Sequence, residues 1–353
     1  MSGSADVAGG DGAVAPWADL LGELVAGRDL PGTWAAAAIA DTLSGAAGDA
    51  RLAGFLVGLA AKGVSPVELE AMVGAMLDAA APLELSDPAG TIDIVGTGGA
   101  PRRREAALNV STMSALVAAA AGATVCKHGN RRASSTSGSF DLLEALGIPT
   151  DLDAVGVRRC VDEVGVGFAF ARAFHPAMRH AAPVRTALGI PTVFNVLGPL
   201  SHPAGLTRIL LGVGNPDLAP RVADTLVRRG ARRAMVVCGH DATDEIVTTG
   251  PTLIHEVHDG EVRVWELDPA SLGIEVVPVT AVAGGDPARN AAIATELFAG
   301  GGGPVADLVA LNAAAALVVA GRVDSIADGL APARAALADG SAAAKVAALV
   351  ARA

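Results

Sequence analysis

The chain has 353 residues, 51% of them hydrophobic but only 3% aromatic with no tyrosine, and a formal net charge of −11. That apolar content suffices for a large core or two, while the acidic balance argues against a nucleic-acid binder, which needs a basic face. Cys126, Cys160 and Cys238 are odd in number and far apart. They form neither a CxxC pair nor a disulfide framework, which fits a reducing, cytoplasmic setting. No basic-then-apolar leader is visible, and the most apolar stretches are broken by polar residues or too short for a bilayer, so no membrane association is expected.

Residues 1–14 are small and polar and read as a disordered tail. Residues 15–85 read as a small helical domain. Pro31 opens one helix there, and 51–62 reads as another, with Leu52, Phe55, Leu56 and Leu59 on one face. A third starts at Ser65-Pro66, where Ser65 and Glu68 form a capping box. From Thr91 the character changes. Residues 91–95 form a short β-rich run ending in Gly96-Thr97-Gly98-Gly99, and an Ala-rich helix follows from about Ser111. Further buried-strand candidates at 123–126, 166–170, 208–213 and 234–238 alternate with helical patterns such as 139–146, closed by Gly147. That alternation predicts an α/β fold with a central, largely parallel sheet over 86–353. Gly300 to Gly303 read as a surface turn.

Five stretches carry chemistry, each with a plainer structural alternative. Gly96, Thr97, Gly98 and Gly99 close a strand; glycine admits φ > 0 and lets backbone N–H groups approach an anion, though a simple tight turn looks the same. Asn109-Val110-Ser111-Thr112 precedes a helix, whose N-terminus attracts phosphate; Ser111 as an ordinary N-cap is the alternative. Lys127-His128-Gly129-Asn130-Arg131 and the hydroxyl run Ser134-Ser135-Thr136-Ser137-Gly138-Ser139 offer two cations and many donors to phosphate; here the alternative is a solvated loop. His175, Met178, Arg179 and Arg185 lead to the segment FNVLGPL at 194–200. One of those arginines can fork to a carboxylate, or pair with an acidic neighbour on the surface. Asp244-Glu245 is the fifth: adjacent carboxylates can hold Mg²⁺, which keeps waters and takes one or two carboxylates plus substrate phosphates, or can be a solvated acidic pair.

Taken together, these stretches resemble the anthranilate phosphoribosyltransferase family over nearly the whole chain. The resemblance runs through FLVGLAAKG (55–63), DIVGTGG (93–99), NVST (109–112), KHGNRRASSTSGSFDLLEALG (127–147), 175–200, Asp244-Glu245 and 290–312. It implies a small helical domain, joined by helices from about 176–200, hinged to a large α/β domain, and a homodimer. It also implies that Gly96, Thr97, Gly98, Gly99, Asn109, Ser111, Thr112, Lys127, Ser135, Ser137, Gly138 and Ser139 hold phosphoribosyl pyrophosphate (PRPP). Ser111, Asp244 and Glu245 would hold Mg²⁺. His128, Asn130, His175, Met178 and Arg185 would line the anthranilate channel, with Lys127, Asn130 and Arg185 as the catalytic residues. The implied reaction moves the phosphoribosyl group to the anthranilate amine, a step of tryptophan biosynthesis. A paralogue with another aromatic acid or a nucleobase as acceptor, or a non-catalytic homologue, are the alternatives.

The chain departs from the family pattern in four places. Ala100 replaces an aspartate, and the connection 100–108 is longer and carries Arg102-Arg103-Arg104-Glu105. Cys238 stands where a histidine is common, and His202 where an asparagine is common. The arginines of the altered connection either help hold the pyrophosphate or belong to a solvated insertion; exposed charges being the rule, we take the second reading and expect a working enzyme with weakened donor binding.

Overall fold

Four helices come first: α1 (Trp17–Val25), α2 (Gly32–Ser44), α3 (Asp49–Lys62) and α4 (Pro66–Asp78). The computed structural model describes residues 16–98, 107–131 and 136–352. The expected tail, Gly99, Ser134, Ser135 and the 100–106 part of the altered connection lie outside them. Pro31 does precede α2, and α4 opens with the expected capping box. In that box the Ser65 hydroxyl accepts from Glu68 N–H at 3.3 Å, and the Glu68 carboxylate accepts from Ser65 N–H at 2.7 Å. The same buried carboxylate takes Lys62 Nζ at 2.9 Å and Leu30 N–H at 2.8 Å. Its charge is thereby paired, as burial demands, and α3, α4 and the approach to α2 are pinned together.

The α/β part places β1 (Thr91–Gly96), β2 (Thr124–Gly129), β3 (Val166–Phe170), β4 (Arg208–Gly212), β5 (Arg233–Gly239), β6 (Thr252–His258) and β7 (Glu261–Leu267) in one sheet of order β3-β2-β1-β4-β5-β6-β7. The pairings among β1 to β5 are parallel, while β6 and β7 add an antiparallel hairpin. All five anticipated runs are strands. The hairpin was not anticipated, although its signal is local. Asp259-Gly260, at φ 48° and 85°, makes the left-handed turn between two alternating runs.

Crossovers are made by α5 (Val110–Ala120), α6 (Ser139–Ala145), α7 (Ala154–Val164), α8 (Ala171–Phe174), α9 (Ala182–Leu188), α10 (Phe194–Leu200) and α11 (Ala219–Arg228). The chain closes with α12 (Pro287–Phe298), α13 (Pro304–Val319), α14 (Ile326–Ala338) and α15 (Ser341–Val350). Successive strand side chains go to opposite faces. Ile92, Ile94, Val125, Leu210 and Val237 therefore meet α5, α13 and α14 on one side. Ile209, Leu211, Val213 and Val236 meet α11 on the other, in a core that runs on into α1 to α4, α9 and α10.

That arrangement positions the site. The chain leaves β1 for β2 on one side and later returns to β4 on the other, so strand order reverses between β1 and β4. In open α/β sheets the crevice at the carboxyl ends of such strands is where ligands bind.

Candidate active site

Gly96 and Gly212 end β1 and β4, and a third segment packs onto both. A Cβ on Gly96 would lie 2.4 Å from Asp244 Oδ2, and one on Gly212 only 1.8 Å from the Asp244 carbonyl oxygen. Only glycine at both positions lets the acidic loop reach the switch point. Gly98 takes φ 67°, as the turn requires, and its N–H donates to Asp244 Oδ2 at 2.7 Å. Thr97 is held from both sides: its N–H donates to Gly212 O at 2.9 Å, and its hydroxyl accepts from Gly214 N–H at 3.2 Å. The loop itself turns at Ala242, a non-glycine residue at φ 60°. Beyond it, buried Asn312 of α13 accepts from Ile246 N–H at 3.1 Å and donates to Ile246 O at 2.7 Å, fixing the residue next to Glu245.

Asn109, not Ser111, occupies the N-cap of α5, and its side chain makes no capping bond. It serves as a buried junction: Asn109 Oδ1 accepts from Ser137 Oγ at 2.9 Å and from Asn290 Nδ2 at 2.8 Å. Asn290, also buried, further donates to Ala107 O and accepts from Gly285 N–H. Ser111 and Thr112 sit in the first turn of α5, at the positive end of the helix dipole. The start of α5, the 136–138 segment and α12 are thus locked together. Asn290 and Asn312 lie within the resemblance but had no assigned role; two amides inside Ala-rich helical runs were the available signal.

The cations behave differently from one another. Lys127 is buried and its Nζ donates to Ile94 O at 2.5 Å. Burial lowers its ammonium to about 8 against the opposing pull of Asp93 and Asp244, so it is still mostly charged near neutral pH. Asp93, in the middle of apolar β1, is fully buried and its carboxyl is raised to about 7, chiefly by desolvation. It accepts from His128 N–H at 3.1 Å. Sequence reasoning gave Asp93 no role; a carboxylate inside an apolar strand was the clue. Arg131, read as a phosphate ligand, pairs instead with Glu144 and lies 5.1 Å from the Phe170 ring centroid. Ser139 Oγ donates to Asn130 O at 3.0 Å and accepts from Asn130 N–H at 3.1 Å, which holds exposed Asn130 at the mouth. Gly138 N–H donates to Asp141 at 2.8 Å.

Across the cleft, His128 and His175 stand 5.3 Å apart, both buried and both pushed down by desolvation. The Nε2 of His128 has no partner among the described residues. Met178 is half-buried against the helical layer. Arg185, on α9, is half-buried; its guanidinium lies 5.4 Å from the Phe194 ring centroid and donates to Asn195 Oδ1 at 3.5 Å. Among the described residues it has no carboxylate partner, so it offers a fork for one. Arg179, the weaker candidate, is exposed and donates to Pro176 O. Cys238 is buried, with its thiol pushed up to about 11 by burial.

The carboxylates of Asp244 and Glu245 and the hydroxyl of Ser111 are oxygen donors of the kind Mg²⁺ takes. Among the described residues no three His, Cys, Asp or Glu side chains form a cage. An apolar groove of about 560 Å³ between α2 and α4, walled by Ala36, Ala40, Ala71 and Ala75, carries none of these groups. No helix of the described residues is long and apolar enough to cross a membrane.

Residues 18–80 match the helical bundle domain of the glycosyl transferase family, and residues 89–343 match its a/b domain. The anthranilate phosphoribosyltransferase of Saccharopolyspora erythraea is 48% identical over 301 residues, 85% of this chain and 84% of its own. The crystal structure of anthranilate phosphoribosyltransferase from Thermus thermophilus is similar with a TM-score of 0.88 at 43% identity, covering 95% of this chain and 99% of that one. The Saccharomyces cerevisiae enzyme in complex with PRPP and Mg gives 0.86 at 26% identity, covering 95% and 97%. With both domains matched and near half the residues identical over most of its length, the chain belongs to the anthranilate phosphoribosyltransferase family.

Proposed function

We propose that this chain transfers the phosphoribosyl group of PRPP to the amine of anthranilate and releases pyrophosphate. The observation that supports the reading is the convergence at the β1/β4 switch point of the Gly96–Gly98 turn, Asp244 and Lys127, together with a half-buried Arg185 on α9 that has no carboxylate partner among the described residues. The amine lone pair attacks ribose C1, the bond from C1 to the pyrophosphate oxygen breaks, and the amine then loses a proton to solvent. Anthranilate's amine is neutral near pH 7, so no strong base is demanded.

The residues' work is orientation and charge. Lys127 and the first turn of α5 neutralise the departing pyrophosphate. Asp244 and Glu245, with Ser111, hold Mg²⁺, which when bound offsets phosphate charge. Arg185 forks to the carboxylate, and His128, Asn130, His175 and Met178 flank the ring, so much of the rate comes from positioning. Gly99, Thr112 and Ser135 are included with the donor contacts. We also propose a homodimer, to be checked by sedimentation, and a cytoplasmic location, which the three free cysteines support.

The decisive experiment follows anthranilate fluorescence on mixing with PRPP and Mg²⁺. Consumption that needs all three is expected. Inertness toward anthranilate with turnover of a nucleobase would overturn the reading, because a nucleobase leaves Arg185 unpaired.

A further inference from the structure

Strands β1 and β2 part company halfway along, and the backbone groups exposed by the parting are satisfied from three places. Their register ends at Ile92↔Val125. One further step of a parallel ladder would take Ile94 N–H to Cys126 O and His128 N–H to Ile94 O. Instead the Asp93 carboxylate accepts from His128 N–H at 3.1 Å. Lys127 Nζ takes Ile94 O, and His202 Nε2 takes Cys126 O at 3.0 Å. Asp93 and Lys127 belong to the parting strands. His202 does not; it comes from the segment after α10, next to Ser201 and close in sequence to Asn195.

His202 is built into its place. Its Nδ1 accepts from Ala204 N–H at 3.1 Å, so the ring proton sits on Nε2 and is donated to Cys126 O. Burial depresses its pKa to about 3, so the ring stays neutral and the bonding pattern does not change near neutral pH. Its ring meets that of His128 edge-on, with centroids 5.6 Å apart. His128 in turn faces His175, whose Nε2 bonds Ser201 O at 2.9 Å. The three imidazoles form a buried row from the loop after α10 to the end of β2.

We infer that His202 is a positioning residue for the acceptor half of the site: by bridging Cys126 of β2 to the loop after α10, it sets where the His128 ring stands relative to His175. The inference rests on the proposed acceptor. Asp93 and Lys127 already tie β2 to β1 across the same gap; His202 ties β2 to the loop after α10, so its bond sets that loop, and the ring standing edge-on to His128, relative to β2. Losing one such neutral bond is worth about tenfold in an equilibrium constant.

The test compares wild type with His202→Gln, whose amide nitrogen reaches where Nε2 stands, and His202→Phe, which keeps a ring without hydrogen bonds. In His202→Phe the KM for anthranilate should rise about tenfold, with the KM for PRPP nearly unchanged, while His202→Gln stays close to wild type. In the ligand-free protein the His128 ring-proton resonances, assigned through their loss in His128→Asn, should move in His202→Phe and stay in His202→Gln. If His202→Phe does not fold, His202→Leu is read the same way. A wild type that leaves anthranilate untouched sinks the proposed function, and the resonances then decide this inference alone. Unchanged resonances and constants in His202→Phe, even with a lower melting point, overturn it. So does a KM increase confined to PRPP, or a His202→Gln as impaired as His202→Phe.

Discussion

Gly212→Ala perturbs the site through a single carbon. A Cβ there lies 1.8 Å from the Asp244 carbonyl oxygen, 2.3 Å from its carbonyl carbon and 3.0 Å from its Cα. All three atoms are backbone, so no rotamer relieves the clash, and the loop must retreat by about 1.5 Å to regain ordinary contact in a close-packed interior. Gly212 is not at positive φ, so the neighbour alone causes the strain. Overpacking of this kind costs roughly 1–3 kcal/mol, which a folded domain survives. Displacing the proposed metal-binding carboxylate by about 1 Å should cost about a hundredfold in rate. Function should therefore fall much further than stability. Urea unfolding measures the first quantity and anthranilate consumption, titrated with Mg²⁺, the second. Gly22→Ala in α1 is the control, because its Cβ meets nothing within 4 Å; it should leave activity unchanged and add up to about 1 kcal/mol of helix stability. Gly212→Ala with near-wild-type turnover and Mg²⁺ dependence would refute the idea that Asp244 must sit where β1 and β4 end.

The double variant Asp244→Asn, Glu245→Gln should lose activity with its circular dichroism intact; turnover near wild type at ordinary Mg²⁺ concentrations would remove these residues from the metal assignment. Arg185→Ala should weaken anthranilate binding by about 1.5–3 kcal/mol, the range for a bond to a charged group, and spare PRPP. A loss on the donor side instead would put the arginine in the wrong half of the cleft. Burial lifts the Asp93 carboxyl from 3.8 to about 7, so the folded chain favours its protonated form. The stability this contributes is complete below about pH 4 and is lost as pH rises through 7. Asp93→Asn keeps an oxygen for the His128 N–H group, and its melting point relative to wild type should climb between about pH 5 and pH 8. A difference that does not vary with pH would count against a buried carboxyl at that position.

What could be read from the sequence alone was whatever a few neighbouring residues decide. Glycine at Gly98 permits φ > 0, Ser65 and Glu68 cap α4 across one turn, and five apolar runs of strand length became β1 to β5. Asp259-Gly260 was legible in the same way, as a left-handed turn between alternating runs. Which groups meet across the fold was another matter. Gly212 needs no side chain because Asp244 lies over it. Asn109 is occupied by Asn290, far along the chain. Arg131 pairs with Glu144, thirteen residues on. His202 finds an orphaned carbonyl on β2. Each of these is decided by where the parallel strands end and where β1 and β2 separate. Parallel pairing joins segments many residues apart through crossovers, so the partners share no local spacing. The residue types announced the chemistry; the tertiary structure chose which of them are committed to holding strands and loops together and which, like Arg185, have no carboxylate partner among the described residues.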